Sequence, residues 1–151
     1  MNKHKDLISN RRALHDYEIL ETFEAGMVLM GSEVKSLRGH HGSLQDAYIL
    51  VSDSTVILKN ASIPPYAQAA MFSHEERRDR KLLLHKREIA ALLKASQDKG
   101  MALIPLGIYL KEGFIKAKIA IARGKKTYDK RATIKEREDK RMIQRIIKHQ
   151  N

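Results

Sequence analysis

Hydrophobic and polar residues alternate along several stretches of the chain, and a period of two predicts β-strands. In the clearest run, FIKAKIAIA at residues 114–122, the basic Lys116 and Lys118 lie on one side. The opposite side is apolar and comprises Ile115, Ala117, Ile119 and Ile121. This pattern predicts a strand with one buried face and one basic face.

Further β-rich runs are separated by residues that favour tight turns. MALIPLGIYL precedes the run at 114–122 across Lys111-Glu112-Gly113, and AYILV and TVILKNASI flank Ser52-Asp53-Ser54. Both arrangements predict β-hairpins. HDYEILETFE at residues 15–24 also predicts a strand, one side of which would carry Tyr17, Ile19, Glu21 and Phe23.

Two segments have helical rather than strand-like features. Ser32 is expected to cap a short helix over residues 33–38 that ends at Gly39. Helix-favouring residues with apolar spacing predict a longer helix from about His85 to Gln97. The polar segment between Gln68 and Arg80 is interpreted as a mobile loop.

This order of elements predicts a mainly β fold, an antiparallel barrel of the oligonucleotide-binding (OB) type with one longer and one short helix. An open α+β sandwich would produce much the same string. We expect a flexible basic arm at residues 1–12, the barrel at 13–122 and a basic tail at 123–151.

The tail holds most of the charge asymmetry. Residues 123–151 contain 11 Lys and Arg against 4 Asp and Glu, a net charge of +7 out of +11 for the chain. Such a segment is predicted to be disordered in isolation and to become helical from Thr133 when it binds a polyanion, with nucleic acid as the first candidate. The alternative is that this helix docks onto the body.

Other classes of protein fit the sequence less well. The chain has no cysteine, no apolar run of the length that spans a bilayer and no signal-peptide pattern near residue 1, so the cytosol is the expected compartment. It lacks a P-loop, a nucleophile elbow and a Gly-x-Gly-x-x-Gly motif, and the adjacent His40-His41 pair does not match metal-ligand spacing. We therefore expect no catalytic residue, metal or cofactor.

Basic clusters and tyrosines are the candidate RNA contacts. Arginines and lysines at 11–12, at 77–81 and in the tail suit phosphate binding, and Tyr17, Tyr48 and Tyr128 offer flat faces for base stacking. Strand tyrosines are also commonly buried, so a core position for Tyr17 and Tyr48 stays open. A general single-strand RNA-binding OB protein and a ribosome-associated structural protein remain as alternative functions.

Four motifs resemble the SsrA-binding protein (SmpB) family, in the family's order across nearly the whole chain. They are NRRALHDYEILETFEAG, GSEVKSLRG, RKLLLHKREI, and GKKTYDKR followed by IKERE. The family more usually has threonine at the position of Ser32. The resemblance implies an OB barrel that binds the tRNA-like domain of transfer-messenger RNA (tmRNA).

The same resemblance implies an adaptor that brings tmRNA to the vacant A site of a stalled 70S ribosome, as a monomer and together with elongation factor Tu. The implied tmRNA-binding residues are Asn10, Arg11, Tyr17, Glu24 and Tyr48. The implied ribosome-binding residues, at the decoding centre and in the empty messenger channel, are Gly124, Lys125, Lys126, Tyr128, Asp129, Lys130, Arg131, Ile146 and Ile147.

Overall fold

The computed structural model describes residues 4–65 and 74–125, and these form one antiparallel sheet with three helices. The strands are β1 (His4–Ser9), β2 (Tyr17–Met27), β3 (Tyr48–Ser52), β4 (Thr55–Lys59), β5 (Arg80–Leu83), β6 (Met101–Lys111) and β7 (Phe114–Gly124). The helices are α1 (Arg11–Asp16), α2 (Gly31–Arg38) and α3 (Lys86–Ser96). Seven strands follow the order β1-β6-β7-β2-β5-β4-β3.

The sheet curls around one apolar core, as the OB-type prediction requires. Cα atoms of β3 and β6 come within 8 Å of each other although the two strands are not neighbours in the sheet. The core contains side chains from α2, α3 and all seven strands, including Leu37, Leu58, Leu92, Ile108 and Ile119. The mainly β fold with a short and a longer helix is therefore confirmed, and α1 is an additional helix.

Both predicted hairpins are present. Glu112 and Gly113 connect β6 to β7 with φ values of 51° and 85°. A two-residue turn with two positive φ angles matches the right-handed twist of its strands, which is why a glycine follows Glu112. The β3–β4 turn includes Asp53 at φ 50°, a conformation that a short polar side chain tolerates.

β2 contains a bulge, and side chains that would otherwise share one face of the strand point to opposite faces before and after it. The register to β7 shifts between Ile19 and Glu21. Tyr17 and Ile19 consequently pack outside the barrel, against a second small cluster, whereas Phe23 points into the main core. The prediction that Tyr17, Ile19, Glu21 and Phe23 share one side is therefore wrong, because the extra residue of a bulge interrupts the period of two.

The expected flexible arm is an ordered strand over the residues that the structure describes. Residues His4 to Ser9 pair with β6, from Lys111 to Gly107. Leu7 and Ile8 are buried in the main core. The expectation for residues 1–12 is thus wrong from residue 4 onward, because this segment supplies apolar side chains to the core and a hydrogen-bonding partner to β6.

β5 was also missed, since the charged sequence around it indicated a loop. Arg80, its first residue, is fully buried and donates from Nε to the Glu33 carboxylate at 2.5 Å and from Nη1 to the Ala61 carbonyl at 2.7 Å. Arg78 donates to the other Glu33 oxygen. We call this cluster of Glu33, Arg78 and Arg80 the buried ion cluster; it joins α2 to β5.

The start of α2 differs in detail from the prediction. The helix begins at Gly31, and the Glu33 carboxylate, not Ser32, accepts a backbone N–H at its start, that of Met30 at 2.9 Å. Ser32 instead lies 2.7 Å from His74 Nδ1. His74 Nε2 donates to the Ile63 carbonyl at 2.7 Å, so the imidazole ring links Ser32 to Ile63.

Candidate nucleic-acid interface

Helix α1 lies between two surface clefts. The first contains Asn10, Tyr17 and the loop residues 44–47 that precede β3. The second has a larger volume and is lined by Asn10 and Arg11 from the start of α1 and by Tyr109 and Lys118 from the sheet. Asn10 therefore lies on the boundary between the clefts, and the structure brings it together with Arg11 and Tyr17 around one short helix.

Hydrogen bonds to β6 fix Asn10. Its side-chain Nδ2 donates to the Pro105 carbonyl at 2.8 Å, and its backbone N–H donates to the Leu106 carbonyl at 2.8 Å. Ala13, one turn further along α1, is buried against Ala120 and Ala122 of β7. These contacts anchor the backbone of α1 to the sheet, so the helix presents its exposed side chains from a defined place.

The two strand tyrosines occupy different environments. Tyr17 is half-buried and packs against the second cluster beside α1. Tyr48 is 47% exposed and its register partner is Lys59. Neither ring belongs to the main core, so each leaves surface for a stacked base, but Tyr48 lies just beyond the first cleft and not within it.

Glu24 lies on the outer face of β2, on the far side of the second cleft from α1. Tyr109 donates its hydroxyl to Glu24 Oε2 at 2.5 Å, and Lys111 Nζ donates to the same oxygen at 3.2 Å. The Tyr109 hydrogen bond is the main cause that holds the pKa of Glu24 below its ordinary value, with Lys111 and Lys116 assisting. An ionised carboxylate with one oxygen so oriented can accept hydrogen bonds from base or ribose groups.

Tyr109 was not predicted as a site residue. Burial, followed by its hydrogen bond to Glu24, raises the pKa of the Tyr109 hydroxyl, which therefore remains a donor at neutral pH. In the sequence it resembles any aromatic residue of an apolar strand. Its pairing with Glu24 joins residues that are 85 positions apart, so local spacing carries no signal for it.

Basic and aromatic groups continue along the outer face of the sheet. Arg11, Arg12, Lys111 and Lys118 are exposed, and Lys116 is partly exposed. Phe114 is 68% exposed, with Lys116 Nζ 5.9 Å from the centre of its ring. Cations next to exposed rings suit a nucleic acid, because phosphates and bases are then bound by neighbouring groups. The basic side of the 114–122 run predicted Lys116 and Lys118, whereas Phe114 was missed.

Of the predicted ribosome-binding residues, Gly124 and Lys125 are described. Gly124 pairs with Tyr17 at the end of the β2–β7 ladder. Lys125 donates its backbone N–H to the Asp16 carbonyl at 2.9 Å and its Nζ to the Leu14 carbonyl at 3.3 Å. The others lie outside the described residues: Lys126, Tyr128, Asp129, Lys130, Arg131, Ile146 and Ile147.

The described part of the chain offers no sign of metal chemistry or of a membrane span. Within residues 4–65 and 74–125 no three His, Asp or Glu side chains form a group that could hold a metal ion. No helix among these residues is long and apolar enough to cross a bilayer.

Known proteins resemble this chain over nearly its whole length. The family model described as SmpB protein matches residues 7–149. The SsrA-binding protein of Protochlamydia amoebophila is 58% identical over 149 residues, which cover 99% of this chain and 97% of that protein. The SsrA-binding protein of Chlamydia pneumoniae is 51% identical, with 97% of each chain covered.

A solved structure agrees in fold as well as in sequence. A chain from the structure described as "tmRNA-SmpB: a journey to the center of the bacterial ribosome" superimposes with a TM-score of 0.69 at 46% identity. The match covers 80% of this chain and 85% of that one. The barrel, the family match that continues through the basic segment, and these relatives together show that the chain belongs to the SmpB family of SsrA-binding proteins.

Proposed function

We propose that this protein binds the tRNA-like domain of tmRNA and delivers tmRNA to the A site of ribosomes stalled without a stop codon. The observation that carries the proposal is the SmpB family match, which includes both the barrel and the basic segment up to residue 149. The relatives are named for binding SsrA RNA, and the solved neighbour is described with tmRNA and the bacterial ribosome.

The geometry of the barrel supports recognition of a folded RNA. Asn10 and Arg11 on α1, the half-buried Tyr17 and the oriented Glu24 are fixed on rigid elements, and Tyr48 adds an exposed ring. Rigid positioning favours a partner with a defined shape, as the elbow of a tRNA-like domain has, over flexible single strands. We assign the tmRNA contacts to these residues.

The basic segment from Gly124 is assigned to the ribosome. Its net charge favours ribosomal RNA, and an intact messenger would occupy the channel that the segment needs. Sterics and charge are then sufficient to detect an empty channel, so the protein acts without catalysis. We place it in the cytosol with the ribosomes, as a monomer that meets elongation factor Tu in the delivery complex.

A pull-down of the tagged full-length protein from lysate, at moderate salt and with sequencing of the bound RNA, tests the proposal. We expect strong enrichment of one RNA that combines a tRNA-like end with a short reading frame. A broad RNA profile would instead indicate a general single-strand binder. Recovery at full stoichiometry with ribosomal subunits, regardless of stalling, would indicate a structural ribosomal protein.

A chain truncated after Ala132 separates the two RNA-binding regions. We expect its affinity for the tRNA-like domain to stay within about threefold of full length, while peptide tagging on a message without a stop codon is abolished, because the truncated chain lacks most of the segment assigned to the channel. Equal loss of both activities would contradict this division between barrel and tail.

A further inference from the structure

The junction between the barrel and the basic segment is tightly held. The β2–β7 ladder ends with the pair of Tyr17 and Gly124. The next residue continues the contact, because the Lys125 N–H donates to the Asp16 carbonyl at 2.9 Å. The chain therefore remains hydrogen-bonded to the end of α1 for one residue beyond the strand.

The Lys125 side chain binds the same helix end. Its Nζ donates to the Leu14 carbonyl at 3.3 Å. Carbonyl groups in the last turn of a helix lack partners within the helix and carry partial negative charge, so a lysine ammonium is well placed there. The ammonium of Lys125 is thus directed towards the barrel.

α1 is a firm base for this contact. Asn10 at its start is bonded to β6, and Ala13 packs on Ala120 and Ala122 of β7. The helix spans six residues, which at about 1.5 Å per residue places Asn10 and Arg11 within roughly 9 Å of the Lys125 contacts. One rigid element therefore carries proposed tmRNA contacts at one end and the start of the basic segment at the other.

We propose that α1 and the end of β7 form a clasp that sets where and in which direction the segment 126–151 leaves the barrel. This reassigns Lys125, which the family resemblance groups with the ribosome-binding residues, as a positioning residue whose ammonium binds α1 and not a ribosomal phosphate. This inference rests on the proposed function, and it predicts that the clasp holds the segment at a fixed offset from the bound tRNA-like domain.

Two substitutions of one residue test the clasp in the full-length protein. Lys125→Pro removes both the N–H and the ammonium, and the preceding Gly124 accommodates the proline without a side-chain clash. Lys125→Met removes only the ammonium. We expect Lys125→Pro to bind the tRNA-like domain within about twofold of wild type but to lower tagging at least about tenfold, since a misdirected segment has a lower effective concentration at the channel. Wild-type tagging by Lys125→Pro would overturn the proposal.

Salt dependence distinguishes positioning from phosphate contact. Each lost phosphate contact lowers the slope of log K against log salt by about 0.7 to 0.9. For binding to stalled ribosomes we expect the slope of Lys125→Met to equal that of wild type, and Lys126→Met, as the matched neighbour, to lower it. A slope lowered by a full contact in Lys125→Met would show that its ammonium binds phosphate, contrary to the proposal. Lys125→Arg, which retains a cation, is expected to behave as wild type.

A reversible lock and an exchange measurement complete the test. The chain has no cysteine, so Glu18→Cys with Arg123→Cys, at a cross-strand pair, introduces a single disulfide. We expect the oxidised and reduced forms to bind stalled ribosomes equally; loss on oxidation would mean that the clasp must open. Slow exchange of the Lys125 amide in the wild-type protein checks the clasp even if the proposed function fails, and exchange at the rate of an unprotected amide would refute it.

Discussion

Glu33 and Glu24 both accept hydrogen bonds from side chains that are distant in the sequence, but their surroundings differ. The Glu33 side chain is fully buried in the buried ion cluster, whereas Glu24 is 40% exposed on the outer face of the sheet. Burial makes a carboxylate costly to keep without its partners, and exposure leaves it available to a ligand. We therefore expect a structural role for the buried ion cluster and propose a recognition role for the outer face.

Glu33→Gln should have the largest effect. It replaces the only carboxylate of the buried ion cluster and leaves Arg80 buried with a neutral partner, which should cost about 3 to 5 kcal/mol of unfolding free energy. Urea unfolding at neutral pH measures the loss. As a control, Lys59→Met removes the exposed pair with Asp79 and should leave the urea midpoint unchanged. Equal stability of Glu33→Gln and wild type would contradict a structural role for the buried ion cluster.

The pH dependence of stability should show the same contrast. Burial acts to raise the pKa of Glu33, but hydrogen bonds from Arg78, the Met30 N–H and Arg80 outweigh it and hold the pKa below the ordinary value. A lowered pKa in the folded state stabilises the protein above the unfolded pKa, about 4.3. That stabilisation is lost as the pH falls through the folded pKa.

Urea unfolding between pH 6 and pH 3 therefore tests the direction in which stability changes with pH. Wild type should lose stability as the pH falls below about 4.3, and Glu33→Gln should show a flatter profile, because it has no carboxyl group to protonate at this position. Glu24→Gln should retain almost the wild-type slope, since a partly exposed pair is screened by solvent. Parallel profiles for wild type and Glu33→Gln would contradict the assignment.

The elements that the sequence predicted depend on local information. The β6–β7 hairpin follows from alternation in FIKAKIAIA and a Glu-Gly turn, and α3 follows from helix formers with apolar spacing. β1 and β5 depend on distant partners. Leu7 and Ile8 become core residues beside a strand about 100 positions later, and Arg80 is buried because Glu33, 47 positions earlier, neutralises it. From local sequence alone, the segment that contains β1 was therefore predicted to be a flexible arm, and the segment that leads into β5 was predicted to be a loop.

The candidate site divides in the same way. Asn10, Arg11, Tyr17, Glu24 and Tyr48 follow from the resemblance to the family, and the structure places them around α1 and on the sheet. Tyr109 lies outside the quoted family motifs, and only the structure shows its hydrogen bond to Glu24. The contact of Lys125 with α1 was equally hidden, because a lysine in a basic run predicts only a phosphate ligand.

On the outer face, Glu24→Gln should affect binding more than folding. We expect its affinity for the tRNA-like domain to fall about tenfold, equivalent to about 1.4 kcal/mol, because a charged acceptor is replaced by a neutral amide. Its urea midpoint should stay near that of wild type. Filter binding with the isolated RNA domain gives the affinity. A loss of stability without a loss of affinity would mean that Glu24 has a structural role and not a role in RNA binding.

Tyr109→Phe should have the smallest effect and tests how Glu24 is positioned. The substitution removes one hydroxyl that donates to Glu24 at 2.5 Å and leaves the ring in place. A lost hydrogen bond of about 1 kcal/mol predicts a roughly threefold to fivefold lower affinity for the RNA domain. If Tyr109 acts through Glu24, adding Tyr109→Phe to Glu24→Gln should not lower the affinity for the RNA domain any further.

This double-mutant cycle separates three possibilities for the outer face. Additive losses would mean that Tyr109 contributes to RNA binding independently of Glu24. No effect of Tyr109→Phe on affinity would mean that Lys111, which donates to the same oxygen, is sufficient to orient the carboxylate. Only a coupled loss supports the proposal that the buried Tyr109 hydroxyl orients Glu24 for RNA binding. Tyr109 would then hold Glu24 on the surface as Arg78 and Arg80 hold Glu33 in the interior.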